Sequence, residues 1–378
     1  MQASQPPPER HGQPTLPEDR TMRLAASLLL LVVATPLMAE PRQLNLYNWA
    51  DYVAPQALQR FQAETGIRVK YDTFDSTDVL ESKLMTGGSG YDVVFPASSG
   101  LSRAIQARAL QPVGTLQNAV NLDPELLAKL ASVDPGNQYG VPYTWGTVGL
   151  AINRQAVEQR LPGVALDSLD LLFKPEYATA LRDCGISVLD SPQEVIAVAL
   201  NYLGKSPYSA RAEDLEAVSA LLAALQPNLR YVGSARQIDD LARGETCLAL
   251  TYTGDAGMAA ARAAEAGQPF EVLYRIPREG TLIWFDTMAI PADAPHPQNA
   301  RAFIDFMLQP AAIAELTNEL FFANANRAAT PLLDDAVRSD PDIYPPEAVR
   351  ERLFAEQVLS LREQRRRTRL WTAFRSQY

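Results

Sequence analysis

Histidine and cysteine are the scarcest chemistry-bearing residues of this chain, with only two of each in 378 residues. His11 lies in an N-terminal stretch that reads as removed, and His296 sits between Pro295 and Pro297, in what reads as a surface loop. That scarcity excludes a Ser-His-Asp triad, a Cys-His pair and a histidine or cysteine metal cluster. No GxSxG or Walker sequence is present either, so neither an enzyme, a metal nor a cofactor is expected. Bases are outnumbered, 34 Lys and Arg against 44 Asp and Glu, for a net charge of -10. Nucleic acids and anionic membranes favour a basic face and are not expected partners, whereas a cationic ligand suits the balance. A long apolar run is also missing. Residues 24–33 are apolar and uncharged, but a membrane span needs about 20 such residues.

That short run has another use. Pro6, Pro7, Pro8, Pro14 and Pro17 make residues 1–21 read as an upstream extension or a mis-start. Met22 and Arg23 then open a secretory signal, Pro36 breaks its apolar core, and Ala39 fits the residue before a cleavage point. No Cys follows, which excludes lipidation there, so export with cleavage is expected. Residues 1–39 carry as many acids (Glu9, Glu18, Asp19) as bases (Arg10, Arg20, Arg23), and the mature chain keeps its full charge. In an oxidising compartment an isolated pair such as Cys184 and Cys247 is expected to bridge, the alternative being two buried thiols.

What remains reads as alternating strands and helices, and its length suggests two lobes. Strand signals fall at 44–49, 67–71 and 91–95, with helices between them. Pro55 opens the first helix and Gly66 ends it, while Ser76 caps the second. This pattern predicts a mostly parallel, helix-covered sheet. Strands at 143–153, 186–189, 247–252 and 282–290 follow, with helices from about 192, at 215–225, at 256–266 and at 300–308. The run from Tyr139 to Trp145 reads as hinge and packing. The fold class is α/β, with the ligand expected in a crevice at the carboxyl ends of the strands.

Carboxylates and aromatics gather at those ends: Trp49, Asp51 and Tyr52 after the first strand, Glu194 after 186–189, Tyr252 and Asp255 after 247–252, and Trp284 with Asp286 inside an apolar strand. Each has a bland alternative. Asp51 suits a turn, Ser191 and Glu194 fit a capping box, and Asp255 fits a helix cap. Asp286, between Phe285 and Met288, needs a partner, because an unpaired buried charge costs several kcal/mol. Acids and ring faces together suit ammonium groups, and flat apolar walls suit a methylene chain. The arginines at 362, 365, 366, 367 and 369 read as a solvated helix face.

The segments LNLYNWADY, YDTFDSTDVLESKLMTGGSGYDVVFP, NLDPELL, LNYLGKSPYS, FFANANRAATPL and IYPPEAVR resemble the periplasmic polyamine-binding proteins of bacterial ABC importers, over about residues 44–378. The resemblance implies a two-lobed type II periplasmic-binding fold with hinge crossovers. Lobe 1 is expected at 40–142 and 265–310, and lobe 2 at 143–264 and 311–378. It implies that Cys184 and Cys247 pair. It also implies amine-binding carboxylates at Asp51, Glu194, Asp255 and Asp286, a stacking ring at Trp49 and a further side chain at Tyr52. Ala50 and Ala97 stand where putrescine receptors carry serines, with Ser99 keeping a hydroxyl nearby. Tyr252 replaces a tryptophan, Trp284 a phenylalanine and Phe322 a tyrosine. Trp284 resembles spermidine-preferring relatives, so spermidine is favoured over putrescine. The expected protein is a periplasmic monomer that docks transiently on a membrane permease. A sensor, an amine-processing enzyme and a receptor for another cation or a basic amino acid are the rivals.

Overall fold

A computed structural model describes residues 42–50 and 52–376. The leader with its cleavage point, and Asp51, lie outside the described residues. The strands are β1 (Gln43–Trp49), β2 (Arg68–Phe74), β3 (Val93–Val94), β4 (Leu110–Gln111), β5 (Gly140–Asn153), β6 (Ile186–Val188), β7 (Leu229–Val232), β8 (Leu248–Tyr252), β9 (Val272–Arg275), β10 (Leu282–Pro291) and β11 (Phe354–Ala355). They join in the order β2-β1-β3-β10-β5-β8-β6-β7, with β4 and β11 on β10 and β9 on β5.

The flanks are parallel, and the centre is antiparallel apart from β11, which pairs with β10 in parallel. β1 pairs with β2 and β3, and β6 with β7 and β8, all in parallel as the βαβ reading expects. β10 runs antiparallel to β3, β4 and β5, and β5 runs antiparallel to β8 and β9. The expected mostly parallel sheet is therefore corrected to a mixed one. The reason lies in two long strands. All of β5 and all of β10 are buried, so neither shows the alternation of a half-exposed strand, and each serves two groups of neighbours. Residues 140–147 of β5 pair with β10, and residues 148–152 pair with β8. β5 thus passes from one parallel group to the other, as the crossover reading of 143–153 expected. The fold is an α/β fold of the two-lobed type II class.

Local chemistry sets the helices beside β1. Pro55 opens helix Pro55–Thr65, and Gly66 ends it in a left-handed conformation, φ 69°. Phe61 of that helix meets the rings of Phe303 and Phe306 at 5.2 and 5.3 Å, which ties it to helix Pro297–Met307. Ser76 caps helix Thr77–Thr86 by accepting the Val79 N–H. At the far end of the chain, helix Leu361–Arg375 buries Trp371 and Phe374. Arg362, Arg365 and Arg369 are exposed as expected, but Arg367 is buried and donates to the Pro207 and Ser209 carbonyls.

Cys184 and Cys247 form a disulfide, with Cα atoms 5.5 Å apart and a sequence separation of 63. In the chain-entropy account a loop of this size contributes about 4 kcal/mol. Replacing both cysteines by alanine should lower the melting temperature by at least about 5 °C. Cys247 precedes the start of β8 and Tyr252 ends it, so the bond sits roughly 16 Å of strand away from the candidate site. Ligand affinity should therefore stay within about twofold of the parent, less than half of the tenfold change that 1.4 kcal/mol makes. A melting temperature that does not move would show that the bond adds nothing to stability.

Candidate functional site

Four structural features converge around the pairing of β5 with β10. The first is a break in register. Asp286 pairs with Thr144, but Thr287 pairs with Pro142, leaving Tyr143 as an extra residue on β5. Such a bulge re-aims side chains and is common beside binding sites. Here it sets Asp286, only 9% exposed, opposite an isolated bridge to Ala97. The second is the turn after β1. Asn48 donates to the Tyr52 carbonyl at 2.7 Å and Tyr143 to the same carbonyl at 3.1 Å. The Tyr52 hydroxyl thereby reaches the Thr144 hydroxyl at 2.5 Å.

The third feature is the end of β8. Tyr252 is the N-cap residue of helix Thr253–Glu265, so Asp255 lies inside its first turn rather than capping it. The fourth is helix Pro192–Tyr202. The expected capping box there is absent, because the Ser191 side chain caps nothing. Glu194 is left for another task, and its Oε1 accepts from the Tyr252 hydroxyl at 3.4 Å.

Rings join these elements. Tyr143 and Tyr52 lie 5.8 Å apart, Tyr52 and Phe322 5.5 Å, Phe322 and Trp284 5.2 Å, and Trp284 and Tyr252 5.7 Å, all edge to face. Trp284 lies across β5 at Gly146, where a Cβ would come within 2.6 Å of the indole. Edge-to-face pairing suits the ring quadrupole, the positive edge of one ring meeting the negative face of the next.

The electrostatics follow from burial. Desolvation pushes Asp286 up to about 7; hydrogen bonding from Tyr52 opposes the shift and the charge of Glu194 adds to it. Desolvation alone takes Asp255 up to about 7. Glu194 is raised first by burial, while hydrogen bonds from its own backbone and Tyr252, and the charge of Arg103, pull it down. The Tyr252 hydroxyl feels Glu194, Asp255, Asp286 and Glu356 together. Oε2 of Glu194 and Nε1 of Trp284 are buried with no hydrogen-bond partner, as is Nε1 of Trp49. An acceptor and donors left unmatched in this way suit a polar ligand.

Sequence reasoning missed Glu356. This acid follows β11, and burial raises its carboxyl, with Glu194 adding to the shift and Arg103 opposing it. A backbone hydrogen bond ties it to Ser99, and its neighbour Ala355 lies beside β10. Its local sequence, Ala-Glu-Gln, carries no strand or cap signal, and only the pairing of β11 with β10 brings it in. A cavity of about 50 Å³ runs past Ser99, Gln193 and Glu356.

Among the expected residues, contacts or bridges connect Tyr52, Ala97, Ser99, Glu194, Tyr252, Trp284, Asp286 and Phe322 to one another or to their shared neighbours, and Asp255 acts on the Tyr252 hydroxyl through its charge. Trp49 instead packs its ring on Phe74 at 4.5 Å, and Ala50 is exposed in the turn.

Acids and rings gathered in this way suit a cationic ligand, and the fold is that of a two-lobed solute receptor. Residues 56–345 match the family described as bacterial extracellular solute-binding protein. The chain is 44% identical to the putrescine-binding periplasmic protein PotF of Escherichia coli, over 93% of this chain and 96% of that one. It is 43% identical to the putrescine-binding periplasmic protein SpuD of Pseudomonas aeruginosa, over 93% and 97%. Among solved structures it is similar to the spermidine/putrescine ABC transporter substrate-binding protein PotD of Streptococcus pneumoniae. The TM-score is 0.77 at 28% identity, over 89% of this chain and 99% of that one. The chain belongs to the bacterial extracellular solute-binding proteins, a family of transport receptors and not of enzymes.

Proposed function

We propose that this protein is a periplasmic receptor that captures putrescine between two lobes and delivers it to an ABC permease. The observation that carries the reading is the cluster of Glu194, Asp255, Asp286 and Glu356 around Tyr252, walled by Trp284 and Phe322. The charge of Glu194 acts on both Asp286 and Glu356, so ionising these acids together is unfavourable until a cation arrives, and burial alone holds Asp255 up beside them. A flat apolar wall beside them accepts the methylene chain that links two ammonium groups. Asp255 and Asp286 pair with the ammonium groups, and Tyr252, Trp284 and Phe322 line the chain. Tyr52 stands between Tyr143 and Phe322 in the ring chain, and Ala97 bridges Asp286 from the other side. The resemblance adds Asp51, Trp49, Ala50 and Ser99 to the ligand set. The lobes divide at 40–142 with 265–310 and 143–264 with 311–378, except that β9 joins the second lobe through its pairing with residues 150–153. Ligand contacts from both sides favour the closed form, which the permease recognises. The protein acts as an exported monomer.

Trp284 alone pointed towards spermidine, and the relatives do not support that preference. PotF and SpuD, at 44% and 43% identity, are both named for putrescine. Calorimetric titration of ligand-stripped protein with putrescine, cadaverine, spermidine and spermine tests the reading. Putrescine should bind at least about tenfold more tightly than spermidine, a difference of 1.4 kcal/mol. Spermidine binding tenfold more tightly would reverse the choice of ligand, and no heat from any of the four would end the polyamine reading.

A further inference from the structure

The polyamine site leaves one contact without a role. Helix Thr253–Glu265 carries Gly254 one residue before Asp255, although glycine is a poorer helix former than alanine. Its backbone does not require glycine, since Gly254 is not among the residues of positive φ. Space does. A Cβ at 254 would overlap the Cε1, Cζ and Cε2 edge of the Phe322 ring. Three residues on, along the same face, a Cβ at Gly257 would come within 2.8 Å of the Phe321 Cβ. Phe321 itself holds a left-handed conformation, φ 58°, as the cap of helix Pro310–Leu320. Two bare positions one turn apart therefore seat the turn at 321–322 against the helix that presents Asp255.

Phe322 is also the middle ring of the aromatic chain. It lies edge to face between Tyr52 and Trp284, and Tyr52 in turn hydrogen-bonds Thr144, the partner of Asp286 across the bulge. Moving that ring outward would shift the wall facing the methylene chain and the hydroxyl beside Asp286 together. The helix that carries Asp255 and the wall opposite it are held at a fixed spacing because position 254 has no side chain.

We propose that Gly254 is a positioning residue of the binding site: it seats Phe322 and so sets the width of the crevice that takes a linear aliphatic diammonium ligand. The inference rests on the polyamine reading above. Its test is a double-mutant cycle of Gly254→Ala and Phe322→Leu, read by putrescine titration and by melting. Leucine lacks the ring edge that the new methyl group would strike. Gly254→Ala should weaken putrescine at least about tenfold in the parent and less than about twofold beside Phe322→Leu, since coupled neighbours are non-additive. If Gly254→Ala fails to fold while the double variant folds and binds like Phe322→Leu alone, the seat is equally supported. Unchanged affinity in Gly254→Ala overturns the inference. So does an equal loss in both backgrounds, or failure of both glycine variants to fold, because Gly254 would then act independently of Phe322. A parent that binds no polyamine is a different result, which ends the functional reading and the inference with it.

Discussion

Asp286→Asn is expected to weaken putrescine binding by about 30-fold or more while raising the melting temperature of the empty protein at pH 8. The two effects have one origin. Removing one partner of a buried, hydrogen-bonded charge pair costs about 2–5 kcal/mol of binding, which is about 30-fold or more. In the empty protein the same charge is a liability. Burial holds the folded carboxyl up to about 7, against an ordinary value of 3.8. Between those values the folded chain binds more protons than the unfolded chain, so stability falls as the pH rises through that window. At pH 8 the parent carries this full penalty and the asparagine variant carries none of it. Asparagine keeps the size of the side chain and an oxygen that can accept from Tyr52, so the bulge between β10 and β5 should survive. Titration and melting of the two proteins at pH 8 decide the matter. A variant that binds as the parent does would remove Asp286 from the site. A variant that binds weakly and also melts lower would make Asp286 a structural residue.

Much of this site was legible in the sequence because its acids stand at the ends of strongly patterned elements. β8 and β10 are apolar runs with a polar break, so Asp286 and the Tyr252–Asp255 pair stood out against their neighbours. The errors arose where pairing over long sequence distances overrides local signals. The antiparallel centre of the sheet follows from β5 and β10 crossing the molecule, and no periodicity within either strand states which way its partner runs. Ser191 and Glu194 have the spacing of a capping box, yet the Glu194 carboxyl is drawn to Tyr252, 58 residues away. Glu356 directly follows β11, a two-residue strand whose only ladder partner is β10. One aromatic exchange at Trp284 likewise does not state which amine chain its wall accepts.

Putrescine affinity should fall by about 100- to 1000-fold between pH 8 and pH 5.5, and binding at pH 6 should release protons to the buffer. Desolvation holds Asp255 and Asp286 up to about 7. Both are ionised at pH 8 and ready for ammonium groups, which remain charged throughout because amines titrate near 10. Below 7 each carboxyl must give up a proton before it can pair, and each then lowers affinity by about tenfold per pH unit. Over the 1.5 units down to pH 5.5, one such group accounts for about 30-fold and two for about 1000-fold. The neighbours that face them temper the slope. Glu194 and Glu356 are also raised by burial and tend to keep protons, while the Arg103 charge pulls both down. Asp255→Asn removes one titrating group and should halve the slope of log affinity against pH. Calorimetry in two buffers of different ionisation heat measures both the affinity and the protons released. A flat affinity from pH 8 to 5.5, with no protons released, would mean that neither carboxyl meets the amine, and the ammonium sites would have to be sought elsewhere in the fold.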